Sequence, residues 1–138
     1  MQREFLETLI VDALDMVTVL NDDGIIRYES SSIGRVLGYE PGELIGKSLF
    51  DFIHPDDMPS VVNAFNDGLQ IPGCIVFLEF RFQHKDSSWH DLDVIAKNLL
   101  DNPAVAGIVL SSRDITERKW AAEEASKAAR QERVEGPS

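Results

Sequence analysis

The sequence predicts an α+β fold in which one antiparallel sheet carries helices across a single face. Three observations lead there. Two short strand-like segments joined by a turn signal lie between residues 16 and 30. A run of short, glycine-stopped helical pieces and one longer helix follows. Three segments with alternating polarity then lie ahead of a charged terminal helix. At 138 residues the chain has room for one ordinary core, and its 43% hydrophobic content is that of a globular protein.

Each element has its own justification. Phe5, Leu6, Leu9, Ile10, Ala13 and Leu14 recur at helical spacing, so residues 1–15 read as an amphipathic cap helix that needs a partner surface. Met16 to Leu20 is apolar and β-branched, and Asn21-Asp22-Asp23-Gly24 is a turn signal. With Ile25 to Ser30 these make a β-hairpin. Ser30 to Ser32 offer caps for a short helix that Gly38 stops. Pro41 to Gly46 and Ser48 to Ile53 each suggest one helical turn. His54-Pro55-Asp56-Asp57 reads as the start of a longer helix, with Met58, Val61, Val62, Phe65 and Leu69 on one face.

After Pro72-Gly73, Cys74 to His84 alternates through Val76, Leu78, Phe80 and Phe82. Trp89 to Leu99 alternates through Leu92, Val94 and Ala96, and Val105 to Arg113 is the last strand. The first strand is expected to close beside the last. Residues 117–138 form an Ala-, Glu-, Lys- and Arg-rich helix and tail with a thin apolar stripe at Trp120, Ala121, Ala125, Ala128 and Ala129.

Composition excludes several classes. A formal net charge of -11 disfavours nucleic acid as a partner, because phosphate backbones attract basic surfaces. The single cysteine, Cys74, rules out an internal disulfide or a CxxC metal motif and reads as a buried, inert thiol. No apolar run approaches the roughly 20 residues of a membrane helix, and the N-terminus lacks the features of a secretory signal. A cytoplasmic location without membrane contact by this segment is the expectation.

Three runs, LGYEPGELIGKS, HPDD and RDITERK, occur in an order and spacing that resemble the PAS domain, the sensory fold of histidine kinases, cyclases and chemotaxis-type transducers. The resemblance covers roughly residues 12 to 117. It implies a five-stranded antiparallel sheet with helices walling an interior cavity, within a sensory module at 16–116. One departure is the turn Lys85-Asp86-Ser87-Ser88, where such domains more often have Asp-Gly; Ser87 suggests a different turn geometry.

No nucleophile–base–orienter set and no metal-ligand pattern can be assembled from the spacing, so the chain is read as non-catalytic and without a metal. His54 is assigned to the helix start, His84 to a solvated strand end, and His90 to an inward register. The cofactor-binding branches of the resembled family are tested residue by residue. Leu49 stands where a flavin photoreceptor has its adduct cysteine, which excludes that photochemistry. Residues 58–73 hold no histidine, against the usual haem mode. The cofactor is left unknown.

Strand parity and helical faces, with the direction fixed by the resemblance, give the expected cavity lining. It comprises Tyr28, Phe50, Phe65, Leu78, Phe80, Leu92, Val94, Asn98, Leu110 and Ser112, with Val17, Val19 and Leu37 also facing it. Asn98 and Ser112 would orient a small ligand. The alternative is an interior filled by its own side chains, chiefly Phe50, Phe65 and Phe80. On the opposite sheet face Ile75, Phe77, Ile95 and Val109 are apolar. Together with Phe5, Leu6, Leu9 and Ile10 they form an expected homodimer surface. Asp114 and Thr116 mark the junction where a signal would pass to the last helix and on to an effector domain. The competing readings are a ligand-free dimerisation domain and, further off, a small α+β enzyme built around His54.

Overall fold

A computed structural model describes residues 16–135, with side chains as far as 128; the expected cap helix and its Phe5, Leu6, Leu9 and Ile10 lie outside the described residues, as does the side chain of Ala129. Strands β1 (Met16–Leu20) and β2 (Ile26–Glu29) are followed by helix α1 (Ser32–Leu37), a 3-10 turn at Leu49–Phe52 and helix α2 (Met58–Leu69). Strands β3 (Ile75–Gln83), β4 (Trp89–Leu99) and β5 (Gly107–Asp114) then lead into helix α3 (Thr116–Glu135). The sheet is antiparallel throughout, in the order β2-β1-β5-β4-β3, so the first strand does pair with the last.

The hairpin closes where the sequence places it. The Asn21 amide donates to the Ile25 carbonyl, and Gly24 takes φ +84°. A Cβ at Gly24 would lie 2.6 Å from the Phe50 ring, so both the backbone and the space require glycine. Beyond the turn the pairing slips by one residue. Leu20 faces Ile26, but Val19 faces Tyr28 and Thr18 faces Glu29, leaving Arg27 as the extra residue of a bulge.

That bulge changes what each face receives. A slip of one residue moves every following side chain to the other side of a sheet. Tyr28, expected in the cavity lining, packs instead on the outer face with Val17, Val19, Val105 and Val109. Glu29 takes the inward position. Val17 and Val19 are also on the outer face, contrary to expectation. β1 is central and buried along its whole length, so it carries no alternation from which its parity could be read.

Three further expectations are corrected. Pro41 to Gly46 forms consecutive turns, because its neighbours spend their backbone groups on β2. The Ile26 amide donates to Lys47 O, and the Gly46 amide donates to Ile26 O. This pairing also covers an open sheet edge. Helix α2 begins at Met58, with Pro59 in its first turn, and not at Pro55. Asp57 is drawn away from capping by Arg81: its carboxylate accepts from the Arg81 backbone amide at 2.8 Å, from Nε at 3.0 Å and from Nη2 at 2.9 Å. Ser87 does not change the turn in the manner expected; it adopts φ 76°, the left-handed conformation that glycine favours.

The outer face divides in two. Over β2, β1 and β5, the β4–β5 connection lays Ala104 and Val105 on the valines, so Val109 is only 4% exposed and unavailable to a partner as it stands. Arg27 fastens this cover, donating to the carbonyl oxygens of Val105 at 2.5 Å and Ala106 at 3.1 Å. Over β3 and β4 no such cover is present among the described residues. There Ile75, Ile95 and Phe77 stand in solvent, Phe77 at 73% exposure.

Candidate functional site: the interior cavity and its junction with the last helix

The inner face of the sheet and the helical segment enclose the main core, which runs from Met16 and Leu20 through Leu37, Leu44 and Val61 to Val94 and Leu110. Among the described residues, two voids adjoin it. The larger, about 40 Å³, lies between α2 and the sheet and is walled by Phe50, Val61, Phe65, Leu78, Phe80 and Asn98, among others. The smaller, about 10 Å³, is bounded by Met16, Thr18, Glu29, Leu92 and Ser112. Leu49, Phe80 and Leu110 border both.

Most of the expected lining is therefore brought together. Phe50, Phe65, Leu78, Phe80, Asn98 and Leu110 border the larger void, and Leu92 and Ser112 the smaller one. Val94 is wholly buried in the core but borders neither, and Tyr28 is on the other face. Phe50 and Phe65 meet edge to face, with centroids 5.3 Å apart at 87°, and occupy much of the space beside α2. Cys74, expected to be buried, is half-buried and borders the larger void. Leu49 presents only apolar surface there.

The polar members of the lining differ in how they are held. The Asn98 amide nitrogen donates to the carbonyls of Gly68 at 2.8 Å and Ile71 at 3.2 Å, while its oxygen accepts from the Leu100 amide at 3.0 Å. It ties the end of α2 to β4. Glu29 was missed in the sequence, since strict alternation from Ile26 turns it outward. Its Oε1 accepts from the Thr18 hydroxyl at 3.0 Å, and its buried Oε2 has no partner among the described residues. Burial pushes the carboxyl up to about 7 against the opposing hydrogen bond from Thr18.

At the far end of β5 a second cluster joins the sheet to α3. Asp114 Oδ1 accepts from the Thr116 amide at 2.9 Å and its hydroxyl at 2.5 Å, and Oδ2 lies 2.7 Å from His90 Nδ1. The Thr116 hydroxyl oxygen in turn accepts from the Asp91 amide at 2.9 Å. Burial works against the Asp114 carboxylate, but the bonds from Thr116 and His90 hold it below its ordinary value. Lys119, one turn into α3, reaches Glu79 at 2.5 Å and Asp91 at 3.8 Å. His90, expected to turn inward, is half-exposed at this sheet end and stacks on His84 with centroids 4.8 Å apart. His54 packs its ring against Trp89, 4.7 Å away, and its Nδ1 accepts from the Asp56 amide at 3.1 Å, a structural use.

Among the described residues no helix is long and apolar enough to cross a membrane, and no group of three His, Cys, Asp or Glu side chains is placed to hold a metal ion.

Comparison with known proteins agrees with this architecture. A family model described as the PAS fold matches residues 26–108. White collar 2 protein of Neurospora crassa is 31% identical over 88 residues, which are 64% of this chain and 16% of that protein. The blue light receptor lreB of Aspergillus flavus is 35% identical over 79 residues, 54% of this chain and 14% of the relative. The chain thus spans less than a fifth of the length of these relatives. Among solved structures, the PAS domain of an HTR-like protein from Haloarcula marismortui superposes with a TM-score of 0.67 at 24% identity, covering 82% of this chain and 96% of that one. Drosophila melanogaster Cycle PAS-B, described with bound ethylene glycol, gives 0.65 at 20% identity, covering 72% and 98%. A five-stranded sheet in the order 2-1-5-4-3, helices over its inner face and a matching family model across most of that sheet lead to one conclusion: the chain belongs to the PAS fold family.

Proposed function

We propose that this PAS domain is the sensory module of a larger signalling protein, such as a histidine kinase, cyclase or chemotaxis-type transducer. Residues 16–116 form the sensing core and residues 117–138 the output lead. The observation that carries this reading is the course of β5. Leu110 and Ser112 border the voids, and two residues later Asp114 holds the start of α3 through Thr116 and His90. A small molecule that fits one position of these walls better than another shifts the balance between them, and the shift reaches α3 through the Asp114 cluster. Curated relatives that include a blue light receptor, and a Cycle PAS-B structure with ethylene glycol bound, support a sensory and small-molecule reading. Native mass spectrometry and an absorption spectrum of protein purified from its own host are the direct test. A retained small molecule is expected; repeated recovery of ligand-free protein would sink the sensor reading.

The second reading, a dimerisation module with a filled core, is favoured by one observation: the bare apolar half of the outer face at Ile75, Phe77 and Ile95. The two are compatible if the module senses as a homodimer, with Phe5, Leu6, Leu9 and Ile10 contributing to the covered face. Phe77→Glu is expected to convert a dimer to a monomer in analytical ultracentrifugation while leaving the unfolding midpoint nearly unchanged. A wild-type monomer at high concentration removes the dimer proposal.

A further inference from the structure

The smaller void has a property that the apolar larger one lacks. Glu29 borders it, and its Oε2 is buried with no hydrogen-bond partner among the described residues, while the partnered Oε1 is held by Thr18. Native cores leave few polar atoms in this condition, and each calls for an explanation, an occupant of the adjoining void among them. The bulge at Arg27 is what delivers this carboxyl to the inner face. At about 10 Å³ the void has room for one water-sized group. Ser112 and Thr18 supply the other polar atoms around it, and the remainder of its wall is apolar. It shares Leu49, Phe80 and Leu110 with the larger apolar void, so an occupant with a polar head here has an apolar compartment beside it for its body.

We propose that Glu29 is the head-group anchor of a small-molecule site in the core, whose ligand is a short, mostly apolar molecule carrying one hydrogen-bond-donating hydroxyl. When the carboxyl is ionised the hydroxyl donates to Oε2, beside Thr18 and Ser112, and the aliphatic part follows the Leu49, Phe80 and Leu110 wall into the larger void. An apolar body matches the apolar lining of that compartment, and a single donor matches the single orphaned acceptor. A ligand without the donor leaves Oε2 as unsatisfied as before and gains nothing at this end. The proposal rests on the reading of the interior as a ligand-holding space.

The probes are 1-butanol and diethyl ether, isomers that differ in having or lacking a donor, titrated at pH 8, where the Glu29 carboxyl is ionised, into the full chain and followed by backbone and methyl NMR shifts. The expected result is a Kd about tenfold lower for the alcohol, with shifts at Thr18, Glu29 and Ser112. In Glu29→Met the alcohol's advantage disappears and the ether binds as before. Equal binding of the two isomers to the wild type overturns the Glu29 assignment but leaves the cavity reading intact, and needs no variant to be folded. Binding of neither isomer overturns both. A crystal structure with a lone water on Oε2 while 1-butanol sits elsewhere also overturns the anchor.

Discussion

Asn98 borders the larger void and Glu29 the smaller one, and each brings polar atoms into an otherwise apolar interior. Asn98 spends its amide on the backbone, two carbonyls at the end of α2 and the amide of Leu100. Glu29 satisfies one oxygen through Thr18 and leaves the other without a partner. A buried polar group that is fully engaged acts as a fastener, and its removal exposes the groups it served. A half-engaged one costs stability in the folded state and fastens nothing through its free atom.

The largest test of that contrast is Asn98→Ala. It leaves the Leu100 amide without its acceptor and removes one donor each from Gly68 O and Ile71 O, which keep the Ile71 and Cys74 amides. The expected cost is about 3 kcal/mol in urea unfolding at pH 7. A loss below about 1 kcal/mol would mean that water replaces the amide and that Asn98 is no fastener. Next comes pH. Below the unfolded value of 4.5 the Glu29 carboxyl is protonated in both states, and its contribution to stability is fully present. As pH rises the unfolded chain ionises first, and the folded chain follows only near 7. Stability therefore falls between these two values, by up to roughly 3 kcal/mol.

Among the described residues no other titratable side chain borders that void, and the part of the slope that belongs to Glu29 is the part that disappears in Glu29→Gln. Asp57 and Asp114, both held below their ordinary values, act in the opposite sense and only at lower pH. A smaller gain, roughly 2 kcal/mol at pH 8, is expected for Glu29→Met, since an apolar replacement removes the half-engaged carboxylate. Thr18→Val should be the mildest, a loss of about 1 kcal/mol at pH 8 that shrinks at pH 5, where the carboxyl is protonated. If Thr18→Val proved indifferent to pH, the carboxylate would not be leaning on that hydroxyl.

The sequence displayed the right-hand part of the sheet well and the left-hand part poorly, for physical reasons. β3 and β4 are exposed on one side, so Phe80 and Phe82 alternate with Glu79, Arg81 and Gln83, Leu92 sits between Asp91 and Asp93, and Leu78, Val94 and Ala96 each have one charged neighbour. The register of Leu110 and Ser112 on β5 follows from theirs. β1 is buried on both faces and offers no such contrast, which is why Val17 and Val19 were placed inward. The bulge is invisible to a period-two reading, and it exchanged Tyr28 with Glu29, removing one residue from the candidate site and hiding another. Asp57 could not be separated from the helix-start motif around it, because its partner Arg81 lies 24 positions away. The outward register of Val109 was legible, but the cover laid over it by Ala104 and Val105 is a tertiary event.

The attachment of α3 has a mechanical consequence. Its contacts with the sheet are concentrated in its first turn, through Thr116 and Lys119, while Trp120 is already 66% exposed. Twenty residues of helix make an arm of about 30 Å. A tilt of one degree at the Asp114 pivot would swing its far end by about 0.5 Å, so a tilt of a few degrees becomes a displacement of roughly 1–2 Å at the tip. The domain is geared: short travel at β5 is traded for long travel where α3 ends.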